Sequence, residues 1–199
     1  MDLKALLLVG LLALTPAALA RSTAAAAVGA GAAIALSDSR GSTKFDNATC
    51  SVTFSPKRGA TKVVIDTISQ AKRSIHVLAY NYTSLPIGEA IRAKLKDGVK
   101  VRIIVDKVSP YQKNAQIWRD KAAGAETYVD KSHRIMHNKV IIIDEFTFIT
   151  GSFNFTANAE TVNAENVMIC NSTVGAQAYL KEWAHLKTKA QPLPDRAAK

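Results

Sequence analysis

The sequence predicts a layered α/β domain, a mixed and largely parallel sheet flanked by helices. Apolar runs of strand length alternate along the chain with segments of helical period. The runs Ile103-Ile104-Val105 and Ile141-Ile142-Ile143 are apolar without a break, which suits strands buried on both faces. A length of 199 residues with 48% apolar and 21% charged content fits one globular domain and excludes whole-chain disorder.

The elements follow in order. Asp2 and Lys4 precede an apolar run, Ala5 to Leu14, and Ala18-Leu19-Ala20 closes it. Residues 1–20 therefore read as a secretory signal cleaved after Ala20, placing the mature protein in a periplasm or the medium. An uncleaved anchor is the alternative. Residues 21–44, rich in Ala, Gly and Ser, read as a tether, residues 45–190 as the folded domain, and 191–199 as a flexible tail.

Within the domain, Ser51 to Phe54 reads as a strand ended by Ser55-Pro56. Val64, Ile68 and Ala71 recur at helical spacing, and Ile75 to Tyr80 is a strand. Ile87, Ile91 and Leu95 mark a second helix closed at Asp97-Gly98. Val99 to Val105 is a strand, Asn114 to Ala123 a weaker helix, and Thr127 to Val129 a strand. Val140 to Ile143 and Phe146 to Thr150 pair around Asp144-Glu145. Asn166 to Cys170 is a last strand, and Gly175 to Lys187 a closing helix.

Charge and cysteine content narrow the chemistry. A formal net charge of +10 favours polyanionic partners, nucleic acid or an anionic lipid surface. Two cysteines cannot staple a miniprotein or supply a four-thiolate zinc site. Cys50 and Cys170 both sit at strand termini, and sequence leaves their pairing open. There is no carboxylate cluster with Mg²⁺ spacing and no His/Cys zinc pattern.

The informative stretch is His137-x-Lys139, four residues, Asp144, six residues, then Gly151-Ser152-Phe153-Asn154. Residues two apart on a strand share a face, so His137 and Lys139 would stand together at the rim of a buried strand. An imidazole beside a fixed ammonium suits a phosphate, the cation holding it while the imidazole attacks or transfers a proton. Gly151 permits the tight turn that delivers Ser152 and Asn154 as uncharged donors. Each residue alone is commonplace. The whole pattern has a chance probability on the order of 10⁻⁶ in a chain of average composition.

This spacing resembles the signature of the phospholipase D superfamily, most closely its small single-motif members, the non-specific endonucleases secreted by bacteria. The resemblance runs from about Val52 to Lys187 and includes Phe54-Ser55-Pro56, Ala79-Tyr80, Gly151 to Thr156 and Ala164-Glu165-Asn166. It implies a phospholipase D-like fold and a nucleophilic His137 that forms a phosphohistidine. It implies further that Lys139 and Asn154 grip the non-bridging oxygens, with Ser152 a donor beside them. Glu165 would accept a hydrogen bond from the far nitrogen of His137 and fix its tautomer. Asp144 belongs to the motif but lies behind the pocket in the family, where it is mostly architectural.

A two-step transfer needs a second imidazole. His76, His133 and His185 lack the companions of His137. The resemblance thus implies a homodimer in which both His137 residues meet across a two-fold axis, with no metal or other cofactor required. His133 and Arg134 would line the mouth and contact substrate phosphates, or else belong to a solvated loop.

The expected activity is a sequence-non-specific endonuclease on DNA or RNA. The alternative is a phospholipase D hydrolysing phosphatidylcholine-type lipids. A catalytically idle nucleic-acid binder would not need His137, Lys139, Ser152, Asn154 and Glu165 together. A membrane-tethered phosphodiesterase is the fourth reading.

Overall fold

The computed structural model describes residues 42–44 and 47–195. The expected signal, most of the tether and the last four residues of the tail lie outside the described residues.

Among the described residues eight strands form one sheet: β1 (Thr49–Phe54), β2 (Ser74–Ala79), β3 (Lys100–Asp106), β4 (Glu126–Asp130), β5 (Lys139–Ile143), β6 (Thr147–Gly151), β7 (Asn166–Asn171) and β8 (Gln191–Pro192). Their order is β1-β7-β6-β5-β2-β3-β4-β8. The sheet is mixed, as the sequence predicts, but it is not largely parallel: five of its seven strand pairings are antiparallel. Its parallel part is confined to β2-β3-β4. Parallel neighbours need a crossover, and the helices α1 (Ala60–Ser69), α2 (Leu85–Lys96) and α3 (Ile117–Ala122) fall in the connections that lead through β2, β3 and β4. By contrast, β5 and β6 are joined by a tight turn and pair antiparallel.

The unbroken apolar runs are explained by two cores. Val77, Ala79, Ile103, Val105, Ile141 and Ile143 face one layer, with Val64, Ile68, Ile87, Ile91 and Ile117 from α1, α2 and α3. Their alternates Leu78, Ile104, Val140 and Ile142 face the other, against Ala176, Trp183 and Leu186 of α5 (Thr173–Lys189). Period-two alternation over a sheet covered on both sides leaves no polar position in the strand centre. Each fully buried Ile here contributes about 1.5–3 kcal/mol.

Three local readings are corrected. The weak helix expected over Asn114 to Ala123 is present but shorter, as α3, and a 3₁₀ turn at Ser109–Tyr111 precedes it. A further short helix, α4 (Ala157–Thr161), follows β6 and is capped by Thr156 Oγ1, which accepts from the Ala159 N–H at 3.2 Å. The tail is docked through Leu193. Gln191 and Pro192 pair with β4, Leu193 is buried, and its carbonyl accepts from Lys121 Nζ at 2.7 Å.

Cys50 and Cys170 stand opposite each other in the β1–β7 register and form a disulfide. It ties the edge strand β1 to its neighbour.

Candidate active site

β2, β3 and β4 run parallel, β5 runs against β2, and β6 runs against β5. The carboxyl ends of β2, β3, β4 and β6 and the amino end of β5 therefore share one edge of the sheet. That edge is where open α/β sheets place their ligands. Continuing the β5–β6 register, in which Ile141 faces Ile149, carries Lys139 opposite Gly151. Ala79 faces Lys139, and Val167 faces Gly151. The residues just beyond this row form the site.

Lys139 opens β5 and is only 6% exposed. Its Nζ donates to the His137 carbonyl at 2.7 Å and lies 5.2 Å from the centre of the Tyr80 ring. The His137 ring packs on the same tyrosine, with centroids 4.6 Å apart. His137 itself is exposed, on the loop before β5 rather than on the strand. The pair is thus brought together by Tyr80 and by a main-chain hydrogen bond. Burial holds the Lys139 ammonium below the ordinary lysine value, and the Glu165 carboxylate partly opposes it. A desolvated ammonium makes a stronger electrostatic partner for phosphate than a hydrated one.

Gly151 sits at φ 150°, and a Cβ there would collide with the Asn166 carbonyl. This close approach lets Ser152 and Asn166 clasp each other: Ser152 N–H donates to Asn166 Oδ1 at 3.3 Å, and the Asn166 N–H donates to Ser152 Oγ at 3.1 Å. In the following run, Phe153 and Phe155 are 2% exposed and anchor in the core. Ser152 and Asn154 alternate with them, Ser152 exposed and Asn154 half-buried. Asn154 Oδ1 is buried with no hydrogen-bond partner.

The expected Glu165–His137 hydrogen bond is not formed. Glu165 Oε1 instead accepts from Asn163 Nδ2 at 3.1 Å, and Glu165 reaches the site through its field on Lys139. Asp144 lies outside the catalytic cluster. It sits five residues further along β5 than Lys139, roughly 16 Å at strand rise. Its carboxylate accepts from the backbone N–H groups of Lys72, Arg73 and Ser74. Burial pushes its pKa up, but these three bonds and the Arg73 charge outweigh that and hold the pKa below its ordinary value. Its part is to fix the β5–β6 turn, where Asp144 and Glu145 both have positive φ.

Sequence reasoning missed how the loop carrying His137 is held. Residues 131–138 join β4 to β5 across the ends of β3 and β2. Asp106, 1% exposed at the end of β3, accepts from Met136 N–H at 2.8 Å. Asp130, fully buried at the end of β4, accepts from Ser132 N–H and Oγ at 2.7 Å and stands 2.6 Å from His133 Nδ1. Burial pushes the Asp130 carboxyl up, yet the Ser132 and His133 hydrogen bonds prevail and hold it below the ordinary range. Both strands end in Val-Asp-Lys, at 105–107 and 129–131, a repeated signal that marks the two anchors. His133 is thus a half-exposed brace of the loop, and Arg134 beside it is exposed.

Comparison with known proteins decides the family. A family model described as "Cardiolipin synthase, PLD-like domain" matches residues 64–187. The chain belongs to the phospholipase D superfamily. It is 41% identical over 137 residues to a protein named phospholipase D from Rickettsia conorii, covering 69% of this chain and 68% of that one. It is 31% identical over 122 residues to a mitochondrial cardiolipin hydrolase of Xenopus laevis, covering 61% of this chain and 58% of that one. Among solved structures, the phospholipase D family member Nuc from Salmonella typhimurium superposes with a TM-score of 0.72 at 32% identity. That match covers 74% of this chain and 99% of Nuc. NucT from Helicobacter pylori superposes with a TM-score of 0.68 at 25% identity, covering 73% of this chain and 99% of that one. The protein is accordingly a phosphodiester hydrolase, with a phospholipase D fold.

Proposed function

We propose that the protein is a metal-independent, sequence-non-specific endonuclease working through a phosphohistidine. The observation that supports this most is the charge of the loops around the site. They carry Lys57, Arg58, Lys107, Lys113, Lys131 and Arg134, while their carboxylates are Glu160 and Glu165. Glu160 is occupied by the Gly59 and Thr61 N–H groups at the start of α1. A mouth of this kind binds a phosphate backbone whatever its sequence.

In the proposed reaction an imidazole nitrogen of His137 attacks phosphorus, and the bond to the leaving oxygen breaks. Lys139, Asn154 and Ser152 hold the non-bridging oxygens as charge develops on them. The His137 imidazole of a second copy of the chain, meeting the first across a two-fold axis, gives its proton to the leaving oxygen. It then takes a proton from water, whose oxygen attacks phosphorus and breaks the P–N bond. The homodimer is therefore part of the proposal, as is export after removal of residues 1–20.

The test uses the purified protein and its His137→Ala variant with EDTA throughout, on plasmid DNA and on phospholipid vesicles. Nicking by the parent alone supports the nuclease. A second reading, phospholipid hydrolysis, is favoured by the exposed apolar side chains Val108, Tyr111 and Ile135 on loops at the same edge. Head-group release without nicking would establish it.

A further inference from the structure

Beside the phosphate-binding residues lies a cavity of about 340 Å³ that the reaction above does not use. It is lined by Asn81, Thr83, Gln112, Asn154, Thr156, Asn158 and Asn163, with Ala157 the single apolar member. No charged side chain lines it. Its walls are fastened together from three separate connections. Tyr82 bridges Phe155, whose carbonyl accepts from the Thr83 and Ser84 N–H groups at 2.9 and 2.8 Å. Gln112 Nε2 donates to Asn81 Oδ1 at 2.6 Å.

Two of its lining side chains are incomplete. Asn154 Oδ1 and Gln112 Oε1 are both buried acceptors without a donor. Buried acceptors are normally satisfied, and the exceptions call for a reason. A wall of amides and hydroxyls, neutral throughout, suits a group that offers N–H or O–H and carries no charge. It does not suit a second phosphate, a quaternary ammonium or an acyl chain.

We propose that this cavity is a subsite for the nucleobase next to the scissile phosphate. The proposal rests on the nuclease reading above and adds to it a substrate requirement. A base can enter only when unstacked, so single strands are preferred to duplex. Asn154 would then serve two neighbours, a phosphate oxygen through its amide N–H and a base edge through Oδ1. Gln112 and Asn158 would make the protein less indifferent to the flanking base than a backbone reader is.

The experiment compares single-stranded 20-mers of dA, dC and dT, a duplex, and bis(p-nitrophenyl) phosphate, which has no base. Gln112→Ala and Asn158→Ala are the variants; Asn158 is exposed, so its replacement leaves the fold intact. Expected are faster cleavage of single strands than of duplex and a measurable spread among the three bases. In both variants that spread narrows, and kcat/KM on oligonucleotides falls about tenfold relative to bis(p-nitrophenyl) phosphate. Parallel losses on all substrates, or no loss, overturn the subsite while leaving the nuclease standing. Turnover of bis(p-nitrophenyl) phosphate without cleavage of any nucleic acid overturns the nuclease reading itself. If vesicles of phosphatidylglycerol are hydrolysed instead and Asn158→Ala slows them, the cavity holds a polyol head group and the base assignment falls.

Discussion

Tyr80 holds the two principal residues of the site on one ring: Lys139 Nζ stands 5.2 Å from its centre and the His137 ring 4.6 Å from it. Tyr80 lies immediately after β2, and its N–H donates to the Asn138 carbonyl between the two at 2.9 Å. One side chain therefore sets the spacing of His137 and Lys139. Tyr80→Phe keeps the ring and is expected to retain kcat/KM on bis(p-nitrophenyl) phosphate within about threefold. Tyr80→Ala removes a desolvated cation–π contact and is expected to lose about tenfold or more. Steady-state kinetics on the three proteins decides it.

Lys139 should show a conflict between stability and activity. Its ammonium is buried, so its folded pKa is depressed below the unfolded value. Between those two values the unfolded chain binds the extra proton, and stability rises as pH rises through that window. Lys139→Met removes the buried charge and is expected to hold or raise Tm at neutral pH while lowering kcat about 10²–10³-fold. In the parent, the alkaline limb of kcat/KM should fall below the ordinary lysine range. Thermal melts and a pH profile test both halves.

His76 predicts an acid-side loss that has nothing to do with catalysis. It lies on β2, 8% exposed, edge-on to Trp183 with centroids 5.0 Å apart. Burial first and Arg102 second lower its pKa from 6.5 to about 4, with Glu145 and Glu126 opposing. The folded protein keeps His76 neutral while the unfolded chain takes up a proton. Stability is therefore complete above 6.5 and declines as pH falls towards 4, by roughly 3 kcal/mol. Urea titrations of parent and His76→Phe should diverge across that interval. Equal slopes would refute the assignment.

The disulfide predicts a stability effect with little change in turnover. It closes a separation of 120 residues between β1 and β7, away from His137. Replacing Cys50 and Cys170 together by Ala is expected to cost about 2–5 kcal/mol. Activity at 25 °C should persist. Calorimetry with and without a thiol reductant measures the first, nicking assays the second.

The sequence was most legible where one physical rule dominates. Ile103 to Val105 and Ile141 to Ile143 could belong only to strands covered on both faces, and they do. The motif His137, Lys139, Ser152 and Asn154 stood out because its spacing is improbable by chance, and the structure joins His137 and Lys139 through Tyr80. What failed to show was set by partners far along the chain. Gln191 and Pro192 look like a loose end until β4 offers an unpaired edge. Glu165 is the opposite case: its carboxylate is taken by Asn163, only two residues before it, rather than by His137. Asn81 and Gln112, thirty-one residues apart, meet only when two loops fold onto each other.

The β4–β5 loop separates two duties within eight residues. Its hold on the sheet comes from Asp130, which takes Ser132 and His133, from Asp106, which takes the Met136 N–H, and from the buried Met136 side chain. Lys131, Arg134 and Ile135 precede His137 by six, three and two residues, and all three are exposed. Substitutions there can retune what the enzyme accepts without shifting His137. A small scaffold built this way can change clientele by surface drift alone, keeping its chemistry while its descendants part ways over nucleic acid and lipid.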